Sequence, residues 1–294
     1  MKNNSGDKLK HYLELSKLKI MIPVSLTGFT GYFIFDPHIS AKILLISLGI
    51  LLLAISASVL NQIQEAELDS KMSRTQDRPL PSRKIKTEQA IVFFLINLIA
   101  GTAILFYTGN SKAAIVGLIT IFWYNIIYTY SKRITAFAVV PGAITGALPP
   151  LIGWLAAGGG EWDRPIIFLE FLFFTGQIPH FWLMILKYGE EYKKAGIPSL
   201  TEIFNPIQIN RLTFTWVGSS VVAAIFLCYF EIIRSGLIIC ILLIASSVII
   251  WKFSDLLRIP VEKNNYNRYS MLLRSYFLII LILLVLDSII GASP

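Results

Sequence analysis

Three oxygen-bearing side chains recur at intervals of four in the stretch Asn61-Gln-Ile-Gln-Glu65-Ala-Glu-Leu-Asp69. On a helix this spacing stacks Asn61, Glu65 and Asp69 on one face, each about 6 Å beyond the last along the axis. Hard oxygen ligands so placed suit Mg²⁺, which takes one or two carboxylates and completes its shell with water and substrate phosphates. Arg74 and Arg78 follow, again four apart, and a guanidinium fork matches two phosphate oxygens at once. Acids followed by arginines describe a site for a Mg²⁺-bound diphosphate. A plainer description also exists, a solvated helix end with paired charges and membrane-surface anchors. The ladder and its two arginines favour chemistry. Arg83, Lys84 and Lys86 favour anchoring, and Glu67 and Asp77, off the ladder, read as surface charges.

The elements that must position these groups are apolar. Hydrophobic residues make up 55% of the 294 positions and charged residues 15%, against about 25% charged in a soluble domain. The apolar residues gather into nine segments, roughly 19–35, 43–64, 89–108, 113–131, 134–157, 165–187, 213–231, 236–252 and 272–291. Each approaches the ~20 residues a helix needs to cross a bilayer. The expected fold is all-α, a polytopic membrane bundle of nine transmembrane helices forming one domain over 1–294. A polar ladder entering the bilayer is costly, so Asn61, Glu65 and Asp69 should face the bundle interior.

The net charge of +8 does not signal nucleic acid, because the cations are sorted by side. Of the 26 basic residues, 22 fall on the amino-terminal side of the alternating segments, leaving only Lys42, Lys112, Arg164 and Arg234 opposite. The positive-inside rule then places the amino terminus in the cytoplasm and the carboxyl terminus outside, in a bacterial cytoplasmic membrane. The charged start, including Lys2, Lys8 and Lys10, leads into an apolar segment with no small-residue cleavage pattern, so no cleavable signal is expected. Cys228 and Cys240 have no metal-binding or redox spacing and read as two buried thiols.

Further polar residues punctuate the middle segments. The fourth ends in Lys132-Arg133, which are surface anchors or phosphate contacts. The fifth carries Pro141, Gly142, Gly146, Pro149, Pro150 and Gly153, and the paired prolines predict an irregular helix. Irregular backbone at membrane depth belongs beside protein or a cavity. The sixth holds Gln177, His180 and Lys187 and leads into Glu190, Glu191 and Tyr192. Intramembrane polar groups are functional by default. His180 is either a hydrogen-bonded structural residue or a ligand, and Glu190 or Glu191 either a second Mg²⁺ ligand or a solvated acid.

The Asn-x-x-x-Glu-x-x-x-Asp ladder resembles the first acidic motif of UbiA-type intramembrane prenyltransferases. The continuation Asp69-x-x-Met72-x-Arg74-Thr75-x-x-Arg78-Pro79-Leu80 resembles the protohaem IX farnesyltransferase (haem O synthase) branch in particular. So do Tyr128–Trp154, the stretch Pro179-His180-Phe181 … Glu191-Tyr192 … Ala195-Gly196-Ile197-Pro198, and more faintly Tyr12–Ile20, Phe253-Ser254 and Ser275–Asp287. Departures are Glu65 and Glu191 where the family shows Asp, Phe137 near its usual Asn, and a missing proline after Lys17. The resemblance implies a UbiA-type fold and farnesyl transfer from farnesyl diphosphate to a vinyl group of haem B. It further implies Mg²⁺ on Asn61, Glu65, Asp69 and Glu191, with Lys132, Arg133, His180, Lys187, Glu191 and Tyr192 at the substrates. A haem A synthase or terminal oxidase is an implied partner. Two rivals are an aromatic prenyltransferase of quinone biosynthesis and a transporter of an anionic solute.

Overall fold

The computed structural model describes residues 5–257 and 265–292. Lys2, Arg258, Lys263 and the carboxyl-terminal Pro294, on which parts of the charge count and topology rest, lie outside the described residues. Among these residues twelve α-helices follow one another: α1 Ser5–Ser16, α2 Leu18–Phe35, α3 Ala41–Gln64, α4 Ala66–Ser70, α5 Thr87–Ile104, α6 Ser111–Phe122, α7 Thr129–Ile134, α8 Val139–Ala157, α9 Arg164–Lys194, α10 Pro206–Tyr229, α11 Gly236–Phe253 and α12 Tyr266–Ala292. Among the described residues nine helical stretches are long and apolar enough to span a membrane. They match the nine hydrophobic segments in order.

The edges differ where polarity misleads. Helix α9 runs on to Lys194, α10 starts at Pro206 and α12 at Tyr266, so all three extend past their apolar stretches. For α10 the local reason is visible. Asn205 and Gln208 cap each other's backbone N–H groups and Pro206 occupies the first helical position, which suits a helix start in water.

Two helices contain a π turn, Leu105–Gly109 after α5 and Trp123–Tyr128 between α6 and α7. Such insertions often sit beside functional sites. The second bulges toward α8, where Trp123 Nε1 donates to the Pro141 carbonyl at 2.9 Å.

Helix α8 is the most deeply buried span and packs into both large apolar clusters of the bundle. Contrary to the sequence expectation, it is continuous through Pro149 and Pro150. Two features accommodate the prolines. The residues whose carbonyls lose an N–H partner, Thr145 and Gly146, line the central cavity. On the other side α2 presses against α8 backbone to backbone: a Cβ on Gly31 would collide with the Pro150 carbonyl, and one on Gly153 with that of Gly28. Tight packing therefore supports an unbroken helix where two of its own hydrogen bonds are missing.

Both cysteines are free. Cys240, expected to be buried, is exposed on the outer face of α11, where a membrane protein meets lipid.

Candidate active site

The acidic ladder survives a break in its helix. Helix α3 ends at Gln64, Glu65 leaves helical geometry at φ −104° and ψ 6°, and α4 begins at Ala66. Even so, Glu65 N–H donates to the Asn61 carbonyl at 2.9 Å and Asp69 N–H to that of Glu65 at 2.8 Å. Two successive i→i−4 bonds keep the three residues on one strip. All three line a cavity of about 360 Å³ between α2, α3, α6, α8 and α9, within the ~300–1,000 Å³ of small-molecule sites.

The segment after α4 delivers the arginines. Met72, Thr75, Leu80 and Ile85 are buried, Thr75 Oγ1 donates to the Asp69 carbonyl at 2.8 Å, and Leu80 and Ile85 pack on Leu15 and Val59. These pegs leave Arg74 and Arg78 facing the cavity. The apolar letters of the Met-x-Arg-Thr-x-x-Arg-Pro-Leu pattern are thus packing, and its arginines are what the packing presents.

Each carboxylate of the ladder meets a base. Arg78 Nη1 lies 2.6 Å from Asp69 Oδ2, and Lys132 Nζ lies 2.5 Å from Glu65 Oε1 and 4.8 Å above the Tyr128 ring. Asn61 is oriented by a different contact. Its Nδ2 donates to Thr129 Oγ1 at 3.1 Å, and that hydroxyl donates to the Tyr124 carbonyl at 2.9 Å. The amide is thereby turned with its nitrogen engaged and its oxygen left as the available ligand. That donor set, one amide oxygen and two carboxylates along one cavity wall, fits a hard divalent cation. Among the described residues no ready-made cluster of three His, Cys, Asp or Glu exists, so such a cation would also need oxygens from its substrate.

The second acidic stretch approaches the first from α9. Arg74 N–H points at Glu191 Oε2 from 3.4 Å, and its guanidinium stacks 5.0 Å over Tyr188. Tyr192 and His180 line the cavity while Glu191 does not. His180 makes no side-chain hydrogen bond among the described residues, and its nearest ring neighbour is Phe181 at 6.1 Å.

Three expected site residues are not brought to the cavity lining, Glu191 among them. Exposed Arg133 donates to the Gln64 carbonyl at 2.8 Å and lies over Tyr130, because it follows Lys132 on α7 and so faces away. Lys187 bonds Asn267 Oδ1 at 2.6 Å, bracing α9 against α12. Phe137 packs edge-on to Phe204 at 6.4 Å.

Sequence reasoning passed over Lys17, Tyr124 and Tyr128 as cavity residues, and Thr129 as the side chain that orients Asn61. Lys17 had one signal, its place in the weakly resembling opening stretch. Its backbone is left-handed, φ 46° and ψ 43°, at the junction of α1 and α2. That conformation costs a residue with a Cβ about 1–2 kcal/mol. Burial, with Arg78 second, lowers the Lys17 amine to about 7, although Asp69 and Glu65 pull the other way.

Nine helical stretches of membrane-spanning length among the described residues, five of them enclosing a cavity that carries paired acids and bases, define an integral membrane protein. The UbiA prenyltransferase family matches residues 24–281, and the chain belongs to that family. A curated relative from Oleidesulfovibrio alaskensis, named protoheme IX farnesyltransferase, is 30% identical over 279 residues, covering 95% of this chain and 96% of the relative. The solved structure of a digeranylgeranylglyceryl phosphate synthase superposes with a TM-score of 0.76 at 24% identity, over 96% of this chain and 99% of that one. A UbiA homolog from Archaeoglobus fulgidus, bound to GPP and Mg²⁺, gives 0.66 at 19% identity, over 92% and 99%. At such identities the structural likeness speaks for the fold.

Proposed function

We propose that this chain transfers a farnesyl group from farnesyl diphosphate to a vinyl group of protohaem IX, making haem O for a haem-copper terminal oxidase. One observation carries the reading. A single cavity joins a charged end, built from Asn61, Glu65, Asp69, Arg74, Arg78 and Lys132, to apolar walls that reach His180 and Phe181. The activity for which the Oleidesulfovibrio relative is named supplies the acceptor and the prenyl donor.

The residues divide the work by charge. Asn61, Glu65 and Asp69 would hold Mg²⁺, which supplies charge neutralisation at the leaving diphosphate when bound; Glu191, facing the Arg74 N–H outside the cavity lining, would have to turn inward to join them. Arg78 and Lys132, now paired with Asp69 and Glu65, are the bases available to the phosphate oxygens, and Arg74 stands beside them. Fixed cations aimed at a leaving oxygen lower the barrier to its departure. Apolar walls from α2, α3 and α8 keep water from the allylic cation that departure leaves. His180, which makes no side-chain hydrogen bond among the described residues, faces the acceptor end together with Tyr192. The charge asymmetry supports a cytoplasmic site and amino terminus, with the carboxyl terminus outside, in a bacterial inner membrane.

The test is diphosphate release by purified protein from farnesyl diphosphate, with haem B and Mg²⁺ supplied. Release that needs haem and stops on chelation supports the reading. Release that proceeds equally without haem, or with chelator present, contradicts it.

A further inference from the structure

The charges around the cavity do not balance. Two carboxylates line it, Glu65 and Asp69, against four bases, Lys17, Arg74, Arg78 and Lys132. Both carboxylates are already paired, with Lys132 and Arg78. Arg74 is exposed and stacked on Tyr188. Lys17 is left. It makes no side-chain hydrogen bond or ion pair among the described residues, yet it lines the same cavity. A half-buried ammonium beside other cations is unfavourable unless an anion arrives.

The chain goes to some lengths to put Lys17 there. The left-handed backbone at this residue turns α1 away from α2, and a Cβ-bearing residue in that region is strained. The turn is held from below: Gln62, one residue after Asn61 on α3, donates Nε2 to the Leu15 carbonyl at 2.7 Å, and Leu15 is fully buried. The helix that carries the acidic ladder therefore also fixes the position of the lysine. Strain, anchoring and lack of a partner coincide at one residue.

We propose that Lys17 is a further direct contact for the substrate's diphosphate, positioned by the α1–α2 turn and completed only when that anion binds. The inference rests on the diphosphate reading above and adds a property to it, coupling to a proton. The groups facing Lys17 across the cavity are Asp69 and Glu65 at the end of α3 and in α4, Arg74 and Arg78 from the following segment, and Lys132 from α7. Tyr124, Tyr128, Tyr192 and His180 complete the titratable lining. With its amine lowered to about 7, Lys17 is neutral in the empty site at higher pH. A diphosphate at hand favours the charged form and raises the amine again, so binding above that pH takes up a proton, whereas binding well below it does not.

The experiment uses the full-length protein in detergent, inorganic diphosphate with Mg²⁺ as the probe, and calorimetry at about pH 8 in two buffers of different ionisation enthalpy. The parent should bind with net proton uptake. Lys17→Met should weaken binding about 10- to 100-fold, the value of a charged hydrogen bond, and lose the uptake. Lys17→Arg should recover much of the affinity without the uptake, because an arginine stays charged throughout. Lys17→Gly relieves the left-handed strain, so it should keep or raise the melting temperature while losing affinity, which separates binding from folding. Lys17→Met or Lys17→Gly binding diphosphate like the parent, with its proton uptake, overturns the inference alone. A parent that does not bind diphosphate at all overturns the diphosphate site together with the inference.

Discussion

Removing Arg78 should do two separable things. Asp69 is nearly fully buried, and among the described residues its carboxylate has one side-chain partner, the Arg78 guanidinium at 2.6 Å, itself only 23% exposed. Arg78→Met leaves that carboxylate uncompensated, which in a buried pair costs about 3–5 kcal/mol. Access from the cavity mouth favours the low end, about 3 kcal/mol, or an apparent melting point lower by about 6–12 °C. Adding Asp69→Asn removes the orphaned charge, and replacing a whole buried pair is near neutral, so the double variant should recover most of that loss. Turnover should behave differently. Arg78 and Asp69 are assigned to the diphosphate and its metal, so both single variants and the double variant should be inactive in haem-dependent diphosphate release. Thermal melting of detergent-solubilised protein and the release assay, run on the parent and all three variants, give the full cycle. Recovery of turnover in step with stability in the double variant would refute the assignment, since the pair would then be a scaffold only.

Gly153→Ala should lower apparent stability by about 1–3 kcal/mol through overpacking, because its Cβ would meet the Gly28 carbonyl; a melting curve like the parent's would show that α2 and α8 are not in backbone contact. His180→Ala should weaken haem retention while leaving inorganic diphosphate affinity unchanged, as read from haem absorbance and calorimetry on one preparation. An unaltered haem spectrum and affinity would return His180 to a structural role. Reporter fusions after residues 82 and 200 should read cytoplasmic and one at 110 external; an external reading at 82 would invert the site.

The nine spans were legible because hydropathy over about 20 residues records a bilayer's thickness directly. Their ends were less so. The polar turns at Gly189–Lys194, Pro206–Leu212 and Tyr266–Met271 are helical, but outside the hydrocarbon a helix needs no apolar signal, only caps such as Asn205 and Gln208. The ladder and its arginines were legible from spacing alone, since i, i+4 geometry is local. The bend at Glu65 was not, and neither was the π turn at Trp123–Tyr128, because both depend on what packs beside them. For the same reason the paired prolines misled: Pro149 and Pro150 announce lost hydrogen bonds, but not that Gly28 and Gly31 allow α2 close enough to support an unbroken α8. Arg133 and Lys187 were drawn in by their proximity to motif residues, and one step around a helix removed Arg133. Lys17 was hidden for the opposite reason, since a lone lysine before an apolar run looks like any membrane anchor until its backbone and neighbours are seen.

The central claim is that one cavity brings a farnesyl diphosphate against a haem vinyl group. Its most direct test is mass analysis of the pigment recovered after incubating purified protein with haem B, farnesyl diphosphate and Mg²⁺, beside a parallel reaction containing 4-hydroxybenzoate in place of haem. The account predicts a farnesylated haem in the first reaction, absent when Asp69→Ala protein is used, and unmodified 4-hydroxybenzoate in the second. A prenylated benzoate with haem left intact would contradict it.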